Sequence, residues 1–263
     1  MTLWELLSRN MRIMSASARM QILLIRRSPM AILTTIAMPT VLYLITVSGQ
    51  NREAALSNEK ALAAATLSAL WAATLWTSGG IMRWEIIEGT LGRNLTSRVD
   101  ARVVILGKCM GASFFNLAVL SLTSGFLAVV SDIRISVGSI LLLSAALILI
   151  AASGIGAGFV LCTVFTLTRH AVQVTAALNY PIMILGGMLI PGDLLPGPLA
   201  LPAKLISLSW ATQILTAIAE GKNPPATAVV FLLLLTALYY VIGQMLFTRI
   251  VQRARVKGTL DLE

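Results

Sequence analysis

The sequence predicts an all-α membrane protein with six transmembrane helices, and three observations carry that expectation. Of its 263 residues, 57% are hydrophobic and only 12% are charged, against about 45 to 50% apolar and about 25% charged in an ordinary soluble chain. Six runs approach the ~20 apolar residues that a helix needs to cross a bilayer. The basic residues are distributed unevenly around those runs. The length leaves room for several spans and short loops but no added soluble domain of ordinary size, so residues 1-263 read as one transmembrane domain.

Residues 1-28 place Trp4, Leu7, Met11, Met14, Ala18, Ile22 and Ile25 at steps of three or four, with Arg9, Arg12 and Arg19 between them. This spacing predicts an amphipathic helix lying on the membrane surface. Arg26 and Arg27 close it, and the arginines interrupt any apolar core of a cleavable signal. Spans follow at about 29-48, 61-82, 110-130, 137-164, 171-190 and 226-248. Pro29 suits a first helical turn, whereas Pro39 and Pro181 are expected to bend the spans that hold them. Residues 83-106 form a cytoplasmic loop, and 249-263 a cytoplasmic tail.

Residues 191-215 are apolar enough to be counted as a seventh span, but they hold Pro191, Pro196, Pro198, Pro202, Asp193 and Lys204. Charge placement decides against it. With six spans and both termini cytoplasmic, 15 of the 20 Lys and Arg residues lie inside, as the positive-inside rule requires. This segment is therefore expected to form short helical pieces or a re-entrant turn at the outer face, with Pro191, Pro196 and Trp210 as an outer gate; an ordinary amphipathic loop is the competing reading.

The chain carries no catalytic signature. There is no phosphate-cradling GxxxxGK[ST] loop, no GxSxG and no HExxH, and His170 is the only histidine. Cys109 and Cys162 lie in apolar stretches without metal-ligand spacing, so they read as reduced, structural thiols and no metal is expected. The net charge of +9 would suit a nucleic-acid binder in a soluble protein; here it follows from the cytoplasmic basic residues, and no nucleic-acid partner is expected. Gly154, Gly156 and Gly158 offer a small-residue face for close helix packing, more readily within the chain than between subunits. Asn116, Gln173, Asn179 and Gln244 are costly in lipid and should point inward. Asn116 and the Asn179-Tyr180-Pro181 triplet are the pathway candidates, because the proline frees backbone carbonyls beside an amide and a phenol.

In the loop after span two, Trp84, Ile87, Leu91 and Leu95 share a helical face while Glu85, Glu88, Arg93 and Arg98 project elsewhere, which predicts one short interfacial helix with a polar docking face. A solvated loop with a few apolar anchors is the simpler alternative. With the amphipathic amino-terminal helix and six spans, the Glu88-Gly89-Thr90-Leu91 stretch, Leu106-Gly107-Lys108 entering span three, and the segment from Gly186 to Pro191 before span six, the chain resembles the ABC-2-type permeases, the membrane subunits of ATP-binding-cassette exporters. It departs from them in placing Gly92 where an acidic residue is common and in lacking a proline before span three.

The resemblance implies that Glu85, Glu88, Gly89, Thr90, Leu91 and Arg93, together with Arg9 and Arg12 of the amino-terminal helix, receive the motion of a separate ATPase subunit. It further implies a second permease copy or a related permease as partner, ATP and magnesium held on the ATPase and no cofactor in this chain, and a multi-pass location in a bacterial inner membrane. The expected cargo is hydrophobic or amphipathic (a drug, antibiotic, lipid or small peptide), because the outer loops are too short for a recognition domain. Polysaccharide export within the same family is the runner-up, and a carrier driven by an ion gradient the rival from another class. No span holds a central charged residue in this reading, which counts against the carrier.

Overall fold

The computed structural model describes residues 3–48, 57–96, 99–133, 137–166, 170–188 and 196–257. Among them the chain is helical, with no strand. Helix α1 (Leu3–Arg26) packs along α6 (Ala101–Val130). Only the second half of its apolar stripe is used for this. Met14 and Ala18 meet α6 and Ile25 is buried, whereas Trp4, Leu7 and Met11 stay exposed.

Gly107 and Gly111 explain why α1 docks where it does. They stand one turn apart on α6, and a Cβ added at Gly107 would lie 2.6 Å from the Met14 carbonyl oxygen; one at Gly111 would run into the Ala18 backbone. Two helices approach this closely only where side chains are missing.

Helix α2 (Pro29–Ser48) begins on Pro29 and contains Pro39. Its Tyr43 hydroxyl donates to Ser131 Oγ at 2.8 Å, tying it to the far end of α6. Next comes a long rod. Helix α3 (Asn58–Ala73) passes through a π-helical turn, Thr74–Ser78, and α4 (Ile81–Ile87). Helix α5 (Leu91–Thr96) leads to α6, whose start is capped by the Asp100 carboxylate accepting from the Arg102 amide at 3.0 Å. Helix α7 (Val137–Phe165) and α8 (Ala171–Leu185) are followed by α9 (Gly197–Lys204), α10 (Ser207–Ala219) and α11 (Ala226–Lys257).

Five helical stretches are long and apolar enough to cross a membrane: Pro29–Ser48, Asn58–Ile87, Ala101–Val130, Ile140–Phe165 and Ala226–Gln252. The fifth predicted span, 171-190, is the exception. Its helix ends at Leu185 after 15 residues, a rise of about 22 Å against a hydrocarbon core of ~30 Å. Residues 186–188 form a turn, with Gly187 at φ 74°.

The apolar segment that follows becomes α9 and α10, and the second of these is anchored deep in the bundle. The Ser207 amide, at the start of α10, donates to the Tyr239 hydroxyl at 3.2 Å. Tyr239 is the fourteenth residue of α11, about 20 Å along that helix. From there α10 buries Ala211, Ile214, Leu215 and Ile218 and finishes at Glu220, which meets Lys60 of α3 at 2.5 Å. The Thr212 hydroxyl also reaches the Gly186 carbonyl at 2.6 Å, fastening the end of α8 to α10.

A central apolar core joins α3, α7, α10 and α11 around residues such as Leu67, Trp71, Ile150 and Leu232. A second core surrounds Phe159, whose ring stacks on Phe247 with centroids 5.8 Å apart. The glycines of α7 serve packing within the chain: Gly156 faces Tyr239 and Tyr240, while Gly154 and Gly158 face Thr74 and Ser78 of the π turn. Cys109 and Cys162 are buried free thiols.

Candidate functional site

The structure gathers the polar residues of 85 to 108 into a buried cluster. Glu85, on α4, is 3% exposed, and Lys108, on α6, is 6% exposed. The Lys108 ammonium donates to Glu85 Oε1, and the Asn94 amide of α5 donates to the other carboxylate oxygen at 2.6 Å. Three helices thus converge on one carboxylate. The Glu85 carbonyl also accepts from the Thr90 amide at 2.9 Å and from its hydroxyl at 3.3 Å.

Between α4 and α5 the chain reverses through Glu88-Gly89-Thr90, with Gly89 at φ 67°. Left-handed backbone of this kind costs a side-chain-bearing residue about 1 to 2 kcal/mol, which is why glycine stands there. The turn is exposed, and a Cβ at Gly89 would meet nothing within 4 Å. The residues before it form an outward surface: Trp84 is 61% and Ile87 63% exposed, and Glu88 is exposed beside them.

This corrects the expected picture of the loop in three respects. The stretch is two short helices broken at Gly89, not one interfacial helix. Glu85 belongs to the interior rather than to a polar docking face, because pairing with Lys108 turns it inward. Leu91 is buried, so it supports the turn from beneath while Trp84 and Ile87 face out. Lys108 sits inside α6, just before the predicted span 110-130, and is paired with Glu85. Arg93 is exposed. Arg9 and Arg12 lie on the exposed side of α1, with Arg12 Nε reaching the Ser8 carbonyl at 3.4 Å; Leu95 and Arg98 have side chains outside the described residues.

A second polar feature lies along the π turn. Asn116 is fully buried and donates to the Thr77 hydroxyl at 2.8 Å. Among the described residues its Oδ1, with Ser78 Oγ, Ser113 Oγ, Ser153 Oγ and Trp71 Nε1, is buried without a hydrogen-bond partner. Such unmatched groups cost about 1 to 3 kcal/mol each, and π-helical insertions recur at functional sites. Asn179 has an Oδ1 of the same kind on α8, but Tyr180 is 65% exposed and Pro181 is exposed. Among the described residues no hydrogen bond joins Asn116 to this triplet, so the pathway candidates fall in two places. Gln173, expected to point inward, is exposed at the first turn of α8.

Of the gate candidates, Pro191 lies outside the described residues. Pro196 is the exposed N-cap of α9. Trp210 stacks on Phe231, with centroids 4.6 Å apart, and donates to the Lys204 carbonyl at 2.9 Å, which locks α9, α10 and α11 together.

Two features were missed from sequence although a signal existed. The Gly107 to Gly111 spacing is a small-residue motif in an apolar run, and Lys108 between those glycines is an isolated charge that demands a partner.

A helical chain with five stretches long and apolar enough to cross a bilayer is a multi-pass membrane protein. The family comparison agrees and makes the class specific. The chain belongs to the ABC-2 type transporter family, whose model matches residues 13–219. It is thus a membrane component of an ABC transporter. No curated protein matches the chain.

Proposed function

We propose that the chain is the permease half of an exporter, moving hydrophobic or amphipathic molecules with energy from ATP hydrolysed on a separate subunit. Two copies, or this chain and a related permease, form the membrane unit, and two ATPase subunits holding ATP and magnesium bind at its cytoplasmic face. The chain crosses the membrane six times in an inner membrane, with both termini in the cytoplasm. Helices α9 and α10 form a re-entrant outer gate braced by Trp210. The first half of α1 lies at the inner surface, with Trp4, Leu7 and Met11 in the headgroup region.

The observation that carries this reading is the Gly89 turn, hung from the buried Glu85–Lys108–Asn94 cluster. A push on the exposed Trp84, Ile87 and Glu88 is transmitted through that cluster to α6, and through Gly107 and Gly111 to α1. Packed interfaces of this kind shift between discrete arrangements rather than deforming continuously.

The test is to isolate the permease with its ATPase and replace Ile87→Asp together with Glu88→Lys, both on the exposed surface. ATPase capture and permease-stimulated hydrolysis should fall at least tenfold while the amount of inserted protein stays the same. Unaltered capture and stimulation would remove the coupling assignment.

A further inference from the structure

We propose that the cavity enclosed by α3, α6, α7 and α10 binds a single-chain amphiphile with a cationic head. The cavity measures about 360 Å³, inside the range of roughly 300 to 1,000 Å³ found for small-molecule sites. It lies at the Lys60–Glu220 end of the bundle, away from the Glu85 cluster.

The chemistry of the walls decides the tail. Leu62, Leu70, Leu117, Leu120, Leu143 and Leu215 supply the apolar lining. Three hydroxyls interrupt it: Thr66 donates to the Leu62 carbonyl at 2.7 Å, Ser124 bonds to Thr66 at 2.6 Å, and Ser121 is exposed. With its proton committed to Leu62, Thr66 accepts from Ser124, so neither of these two has a proton left for a guest. A hydrocarbon chain therefore enters without breaking either bond. Gly125 adds width, because a Cβ there would meet nothing within 4 Å.

The head is decided by charge. Among the described residues Glu59 is the one charged residue lining the cavity. Its neighbour Lys60 is taken by Glu220, at 2.5 Å, and Glu220 also holds Lys222 at 2.6 Å. Among the described residues Glu59 is left without an ion pair. An alkylammonium group at the lip supplies the missing cation while its chain fills the apolar interior, and an anionic head meets repulsion instead.

This narrows the substrate class of the exporter reading, on which its role in transport rests; occupancy of the cavity is independent of any ATPase. The experiment uses the full chain in nanodiscs of zwitterionic lipid. Saturable binding of tritiated dodecyltrimethylammonium is measured, with empty nanodiscs subtracted and dodecyl sulfate and dodecyl maltoside as competitors. The cation should bind saturably, and the sulfate should compete at least tenfold less well than unlabelled cation. Glu59→Gln should weaken the cation about tenfold at low salt, less at high salt, and leave the maltoside unchanged. Gly125→Leu, whose Cβ meets open space, should abolish saturable binding with insertion and size-exclusion profile intact. No saturable binding, equal competition by the sulfate, or indifference to Gly125→Leu would each overturn the proposal. Binding retained where no ATPase partner exists would instead remove the exporter reading and leave this one standing.

Discussion

Replacing Lys108 by methionine keeps much of the side chain's length and apolar volume and removes only its charge. In the native protein that charge faces a carboxylate with 3% exposure, and one remaining donor, Asn94 at 2.6 Å, is too little to hold a buried anion. Removing one member of a buried pair costs about 3 to 5 kcal/mol. Lys108→Met should therefore destabilise the protein by about 3 to 5 kcal/mol.

The double variant Glu85→Gln, Lys108→Met removes both charges and keeps an amide oxygen for Asn94, so it should recover most of that loss. Thermal unfolding of the four proteins of this double-mutant cycle, in one lipid or detergent, measures the coupling between the two positions. It should exceed about 2 kcal/mol, with the single lysine variant the least stable of the four. A Lys108→Met protein as stable as the parent, or a double variant no better than the single one, would refute the claim that a buried charge pair holds α4, α5 and α6 together.

Three further outcomes follow from the geometry. Gly107→Leu should push α1 off α6, because even a Cβ lies 2.6 Å from the Met14 carbonyl; limited proteolysis should release α1 from the variant at concentrations that leave the parent intact. Gly89→Ala should cost about 1 to 2 kcal/mol through its φ of 67° alone, since space is available, and a larger loss of stability would show that a neighbour opposes the methyl group. Glu220 is held down to about pKa 2 from its ordinary 4.5 by hydrogen bonds to Lys222 and Lys60. Its folded value is depressed, so its stabilising effect is present above pH 4.5 and is lost as the pH falls towards 2; the difference in melting temperature between the parent and Glu220→Gln should be constant from pH 7 to 5 and narrow below 4.5.

The fold was legible where it depends on local composition. The spans read as 29-48, 61-82 and 226-248 correspond to helices Pro29–Ser48, Asn58–Ile87 and Ala226–Lys257, since a run of apolar residues with its backbone bonded internally has one stable form in lipid. The proline-rich stretch after Pro191 read as broken helices, and its described part is α9 and α10. The span 171-190 was read too long because Gly186 and Gly187 are as apolar as their neighbours by composition, and only the backbone reveals a turn at φ 74°.

The site divides along the same line. That Glu88 faces solvent and that the chain belongs to a transporter family were legible in the residues themselves, because each rests on neighbours in sequence or on the order of motifs, whereas the break at Gly89 was read as continuous helix. The partner of Glu85 was not legible either. Lys108 lies 23 residues away on another helix, and the two meet only because α4 and α6 are rotated so that both charges face inward. Helices α3 and α7 are apolar around most of their circumference, so they carry no stripe from which rotation can be deduced. Composition therefore determined that this is a membrane protein and which stretches are long and apolar enough to cross. The packing of glycine against backbone at Gly107 and Gly111, and the burial of one ion pair, decided how the helices are turned and hence which residues are left outside for a partner.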